Sequence, residues 1–306
     1  MVRNRKKPRP QNSLDPHQPR ISHMRSNRVF LILGIAAIAF VCIVIYLASS
    51  HLKISDVVSS KALPYKIVKE FAHDPTAFLQ GLEFDNSDLE GRTVYESTGL
   101  YGKSVVRKWD IYTGDILAET ALNSTYFGEG LTVFKELVYQ LTWREHIVLV
   151  YNKNTLDIAR QYYINIDGWG ICHDPLSHRF IISNGSSFLY FYSESDFNLI
   201  GKIEVQSISK QGLTTPVDKI NELEFIDGKV FANVWMTNMI IVIDPKTGSI
   251  QQYHDLSGIV DSMAERGLET KHNSVLNGIA YHKPTDKLII AGKQWPAMFQ
   301  IKLGWF

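Results

Sequence analysis

The chain has 306 residues, 45% of them apolar and 21% charged, which is enough apolar content to bury a sizeable core and too much for a chain disordered throughout. Its formal net charge of +1 hides a split: residues 1–28 hold eight Lys/Arg against Asp15, net +7, while the remaining 24 basic and 30 acidic residues net −6. A mildly acidic body repels phosphate, so nucleic acid is excluded as its partner.

After the basic tail (1–28), residues 29–49 read VFLILGIAAIAFVCIVIYLAS, 21 residues with no charge and no proline. At 1.5 Å per residue such a run crosses a bilayer core of about 30 Å. It is longer than the apolar region of a cleaved signal peptide and lacks a clear small-x-small cleavage site, so an uncleaved signal-anchor is expected. The basic tail then stays in the cytosol, and everything after residue 50 faces the lumen or exterior. The expected address is the endoplasmic reticulum or Golgi membrane, single-pass type II. Two glycosylation sequons, Asn123-Ser-Thr and Asn184-Gly-Ser, fall on that side. Of the two cysteines, Cys42 lies inside the span and Cys172 is alone in the body, so neither an intrachain disulfide nor a four-cysteine zinc site is available.

Residues 50–64 read as a polar stalk, and from Tyr65 to residue 306 short alternating or aromatic-rich runs recur between turns with little helical periodicity. Two motifs repeat. One is a strand running into a turn: KWDIYTGDIL, VYNKNTLDIA, FYSESDFNLI, VIDPKTGSIQ. The other comes upstream of each, and once more near the end: LQGLEF, GEGLTV, GWGICH, NELEF, NGIAY. Aligned, the second set begins at Gln80, Glu129, Trp169, Asn221 and Asn277, at intervals of 49, 40, 52 and 56 residues. Units of this size suit four-stranded propeller blades. The last unit offers three strands, and YKIVKEF near the start can supply the fourth, closing a ring with no broken edge. The expected fold is therefore all-β, a five-bladed β-propeller. A two-sheet sandwich would leave five phased repeats unexplained.

In a blade, the start of the inner strand and the end of its antiparallel neighbour lie on one face. Gln80, Glu129, Trp169, Asn221 and Asn277 start inner strands, while Trp143, Asn184, Trp235 and Lys293 end second strands, with Trp295 just beyond. All are expected at one channel mouth. Glu129, between Gly128 and Gly130 in FGEG, would sit there among aromatics, with the glycines admitting a ligand closely. Loss of hydration would raise its proton affinity and suit it to acid–base work. Other chemistry is thin. His173, His178, His272 and His282 are scattered and read as surface or turn residues, NGSS (184–187) reads as a turn, and no phosphate loop or nucleophile elbow appears.

At these residues the chain resembles the plant-type glutaminyl-peptide cyclotransferases. The shared motifs are DPTAFLQGLEF, FGEGLT, QLTW, GWGI, NELE, ANVW and AGKQWP, in order from about 65 to 304. The resemblance implies a five-bladed propeller that turns N-terminal Gln of peptides and secretory proteins into pyroglutamate with release of ammonia. It implies Glu129 as the catalytic acid, with Lys293 beside it, and Phe78, Gln80, Phe127, Trp143, Trp169, Asn221 and Trp235 as pocket residues. Neither metal nor cofactor is expected, and the body is expected to be a monomer. Ile171 and Cys172 stand where more apolar residues are usual, which touches packing below the rim. Two other functions compete: a silent propeller binding peptides or glycans on the same rim, and a calcium-dependent lactonase-like propeller. The latter needs several converging carboxylates, for which only Glu129 and Glu222 are candidates.

Overall fold

The computed structural model describes residues 63–268 and 274–304. The tail, the apolar run and nearly all of the stalk lie outside the described residues, and among those described no helix is long and apolar enough to cross a membrane.

The phased repeats are five four-stranded antiparallel sheets. Blade 1 runs outward from β2 (Leu79–Phe84) through β3 (Thr93–Thr98) and β4 (Val105–Asp110) to β5 (Ile116–Ala121). Blade 2 is β6 (Gly128–Phe134), β7 (Leu137–Thr142), β8 (Ile147–Asn152) and β9 (Ile158–Tyr163). Blade 3 is β10 (Ile171–Asp174), β11 (Arg179–Ser183), β12 (Phe188–Ser193) and β13 (Leu199–Glu204). A small hairpin, β14 (Gln206–Ile208) with β15 (Thr214–Pro216), precedes blade 4, which is β16 (Ile220–Ile226), β17 (Lys229–Val234), β18 (Met239–Ile243) and β19 (Ile250–Asp255). Blade 5 takes β20 (Leu276–His282), β21 (Lys287–Gly292) and β22 (Ala297–Leu303) from the end of the chain. Its fourth strand is β1 (Tyr65–Ala72), paired antiparallel from Tyr65↔Leu303 to Ala72↔Ala297. The expected closure is present, and it leaves β22 with no open edge.

The strand patterns follow from this packing. Middle strands are covered on both faces, so β7 (LVYQLT) and β21 (KLIIAG) are buried almost throughout, whereas the outermost β9 (IARQYY) is mostly exposed. The apolar core is divided into five clusters, each between two neighbouring blades. Phe180 of β11, for example, packs on Tyr139 of β7 at 4.7 Å between ring centres, and burial of one such side chain stabilises by about 1.5–3 kcal/mol. Ile171 and Cys172 join two of these clusters, below the rim as expected.

Inner strands of neighbouring blades do not pair with each other, and buried carboxylates bridge some of the gaps. Glu83 accepts from Val133 N–H (2.9 Å), Glu222 from Ile279 N–H (2.9 Å) and Glu224 from Tyr281 N–H (2.8 Å). Burial raises the proton affinity of all three, to about 7 for Glu83. Glu222 is thus a tie between blades 4 and 5, and no group of three or more His, Cys, Asp or Glu among the described residues could hold a metal ion.

Two elements have no counterpart in the sequence reading: the β14–β15 hairpin and a helix, α1 (Ser257–Glu265). α1 presents only Ile259 and Met263 to the core, too few to mark a helical period. Two side chains also sit elsewhere than expected. His282 is buried, bonded to Thr285 Oγ1 and the Asp88 carbonyl at the joint of blades 5 and 1. Trp295 is fully buried in the core between blades 4 and 5, its Nε1–H donating to the Ser274 carbonyl at 3.0 Å. Its ring lies over Gly292, where a Cβ would come within 2.2 Å of it. The chain turns inward after Lys293, so Trp295 serves packing and not the rim.

Candidate active site

Four of the five inner strands carry an irregularity at the rim. In β6, Gly128 pairs with Thr142 and Leu131 with Gln140, so Glu129 and Gly130 together face Leu141 alone. The same count holds at Asn221–Glu222 in β16 and at Asn277–Gly278 in β20, and Gln80 is the extra residue in β2. A bulge re-aims the side chain it carries. The repeated motifs mark these bulges.

Side chains of the preceding blade then fix the bulges. Ser97 of β3 donates to the Glu129 carbonyl, and is itself held by Gln140 Nε2 (2.6 Å), whose Oε1 accepts from Tyr151 OH (2.8 Å). Ser183 of β11 does the same for Asn221, donating to its carbonyl at 2.6 Å. The glycines beside Glu129 have a different task from the one expected of them. A Cβ on Gly130 would lie 2.6 Å from the Trp169 carbonyl and 2.8 Å from Gly170 Cα, and one on Gly128 would lie 2.6 Å from the Thr98 carbonyl. They let blades and strands approach one another.

Above the bulges is a cavity of about 280 Å³ lined by Phe78, Gln80, Phe127, Glu129, Trp143, Trp169, Asn221, Trp235, Met236 and Lys293. It gathers the nine residues singled out as catalytic or pocket-forming in the sequence. Asn277 stands behind Gln80, outside the lining. Asn184 lies in the β11–β12 turn, its Oδ1 accepting from Ser186 N–H and Oγ, and the next residue, Gly185, supports the Trp169 ring. Asn123 is exposed in the β5–β6 connection. The aromatic wall is built edge to face: Phe78 on Phe127 at 6.2 Å, Phe127 on Trp143 at 5.6 Å, and Trp169 on Trp235 at 5.6 Å.

Glu129 and Lys293 are each only 5% exposed on this wall. Burial pushes the Glu129 carboxyl well above the ordinary range, opposed by the charge of Lys293 and reinforced by that of Glu145. Burial likewise pulls Lys293 down to about 8, with Glu129 opposing. Lys293 Nζ also lies 4.8 Å from the Phe78 ring centre. A carboxyl of raised and an amine of lowered proton affinity thus line one cavity, with the amides of Gln80 and Asn221 and the aromatic faces around them.

Four contributors were not singled out in the sequence. Met236, with φ +64°, forms the lip of the cavity beside Trp235. Glu145 accepts from Phe127 N–H (3.2 Å) and Tyr101 OH (3.0 Å), and so joins the turns of blades 1 and 2. Ser97 is the penultimate residue of β3 and Ser183 the last of β11, both at the rim end of a second strand. A larger cavity, about 690 Å³, opens where the inner strands end, at the opposite channel mouth; it holds Glu83, Glu224 and His173 but no tryptophan and no lysine near its buried acids except Lys283 at the surface.

A ring of five four-stranded blades that holds a buried carboxylate and a buried amine in one aromatic-walled pocket defines a β-propeller with an enclosed polar site. Residues 37–303 match the glutamine cyclotransferase family model. The chain is 38% identical over 242 residues to the glutaminyl-peptide cyclotransferase of Arabidopsis thaliana, covering 78% of this chain and 71% of that one. The crystal structure of Myxococcus xanthus glutaminyl cyclase superposes with a TM-score of 0.69 at 30% identity, covering 79% of this chain and 98% of that one. The chain belongs to the glutamine cyclotransferase family, and its reaction is glutamine cyclisation, an acyl transfer.

Proposed function

We propose that the substrate is a peptide or protein with N-terminal Gln, and that Glu129 is the general acid–base. The observation that carries this is the burial of Glu129 and Lys293 on one cavity of about 280 Å³ walled by aromatic rings. The α-amine nitrogen attacks Cδ of its own side-chain amide, and a five-membered ring forms. Folding the Gln into that pose between Trp169, Trp235 and Phe127 supplies much of the acceleration. Glu129 takes a proton from the attacking amine. Lys293, with the amide N–H groups of Gln80 and Asn221, faces the oxygen as it becomes negative. Glu129 returns its proton to the departing nitrogen, the Cδ–N bond breaks, and ammonia leaves. A carboxyl of raised proton affinity is a better base toward the amine than an exposed carboxylate, and it can still give the proton up to the departing nitrogen. The indole faces also suit a charged amine before it is deprotonated.

The test is ammonia release from a Gln-initiated peptide. Glu129→Gln keeps size and one carbonyl acceptor but removes the proton carrier, and should lower kcat by about 10²–10⁴ with unchanged thermal unfolding. Near wild-type kcat in that variant would reject Glu129 as the acid–base.

The charge split and the 21-residue apolar run support a type II anchor with the catalytic body lumenal, in the endoplasmic reticulum or Golgi, acting on secretory proteins. Exposed Asn123 is the favoured glycan acceptor over Asn184, which lies one residue from the glycine under Trp169. Protease added to intact microsomes should trim only the basic tail. Digestion of the body without detergent would reverse the orientation.

A further inference from the structure

Two side-chain amides meet where blade 5 joins blade 1, and what they imply rests on the cyclisation mechanism above. Asn277 Nδ2 donates to the Leu79 carbonyl at 3.1 Å and to Gln80 Oε1 at 3.2 Å. A backbone carbonyl only accepts, so the Asn277 atom beside it is the NH₂ nitrogen. The second hydrogen of that nitrogen fixes the Gln80 atom it meets as oxygen. The NH₂ group of Gln80 is thereby left at the other corner of its amide, and Gln80 is one of the residues that line the cavity.

We propose that Asn277 is a positioning residue that locks the Gln80 amide with its N–H groups, and not its oxygen, presented to the oxygen of the reacting substrate amide. Turned the other way, Gln80 would set a carbonyl oxygen against developing negative charge. Nothing intrinsic to a glutamine side chain prefers one orientation, so a neighbour has to choose. Asn277 is built for that choice and for little else. It is fully buried, does not line the cavity, and leaves its own Oδ1 without a protein partner while both hydrogens of its nitrogen are used. The bulge that aims it is held in turn, Gly278 N–H donating to Asn233 Oδ1 at 2.8 Å with Gly278 at φ +130°. The chain of orientation therefore runs from blade 4 through blade 5 to a pocket residue of blade 1.

The experiment is steady-state ammonia release from a Gln-initiated peptide by the full-length chain, with Asn277→Leu, Asn277→Ser, Gln80→Leu and the Gln80→Leu/Asn277→Leu pair. Loss of one donor to an oxyanion lowers kcat by about 10²–10³, so Asn277→Leu should fall toward that range with KM within about threefold of wild type. Asn277→Ser retains one donor and should fall between. The pair should be no slower than Gln80→Leu alone, because Asn277 acts only through Gln80. Multiplicative losses in the pair, or a rise in KM at unchanged kcat, would overturn the proposal. Should Asn277→Leu fail to fold, the same comparison is made with Asn277→Ser. A wild-type chain that releases no ammonia would overturn the cyclisation reading as well; an active wild type with multiplicative losses overturns this proposal alone.

Discussion

Lys293 is a lysine that the fold has made titratable in the working range. Its amine is buried against Phe78 and faces Glu129, and it loses its proton at about 8, far below an exposed lysine. A group whose proton affinity is lowered is charged below that value and neutral above it. If its charge steadies the oxyanion, kcat/KM should decline above about pH 8. Lys293→Arg should carry that decline out of reach at higher pH, and Lys293→Met should lower kcat and lack the limb. An identical basic limb in wild type and Lys293→Met would assign the titration to another group, such as the substrate amine. Glu129, Trp143 and Lys293 were legible in the sequence because each occupies a recurring position of a blade, Glu129 at the start of an inner strand and the other two where second strands end. Glu145 and Met236 were not, because they sit in turns whose length and direction no repeat fixes. Trp295 misled for a related reason: two residues beyond Lys293 the chain has already left the rim, and indole packs as readily as it clamps.

At the scale of the element, the inner strand is the unit that makes the site. A regular strand would alternate its side chains, sending neighbouring residues to opposite faces of the blade. The bulge at Glu129–Gly130 lets the carboxylate reach the channel while Leu131 stays in the core between blades 1 and 2. Bulges of this kind are invisible to a count of alternating residues, which is why the motifs were read as strand starts and the glycines as ligand clearance. Gly130→Ala tests the structural account. Its Cβ would meet the Trp169 carbonyl at 2.6 Å, backbone that cannot swing aside. Overpacking of this kind costs about 1–3 kcal/mol, and here it would also push Glu129 off its aim. Thermal unfolding should occur at lower temperature and kcat should drop with it. Gly102→Ala is the control: φ there is +73° but nothing lies within 4 Å of the new methyl, so only local backbone strain is added and turnover should hold. Equal behaviour of the two variants would mean that blade contact at Gly130 is unimportant.

For the whole molecule, the ring closes beside the pocket. β1 joins the end of the chain by pairing with β22, and Phe71 is buried in the core between blades 5 and 1. Just past β1, His73 N–H donates to the Pro296 carbonyl (2.9 Å), its Nδ1–H to that of Trp295 (2.8 Å), and Gln294 N–H to that of Ala77 (2.7 Å). These bonds fasten both sides of the turn that carries Lys293, and Ala77 is next to the pocket residue Phe78. The fourth strand borrowed from the start was legible, since the last repeat is one strand short. That the seam passes beside Lys293 was not, because it depends on backbone bonds between segments some 220 residues apart. Removing Tyr65–Ala72 should therefore do two things together. It exposes the edge of β22, a template for association, so the shortened chain should run as aggregates on size exclusion. It also removes the strand that holds His73 in place beside Trp295 and Pro296, so the Lys293 turn should loosen and ammonia release should fall even in whatever fraction stays monomeric. A synthetic peptide spanning residues 63–74, added in trans, should restore both the monomer and turnover by filling the open place in blade 5. Full turnover by the shortened chain without the peptide would show that the seam is only a fastening and that the site stands without it.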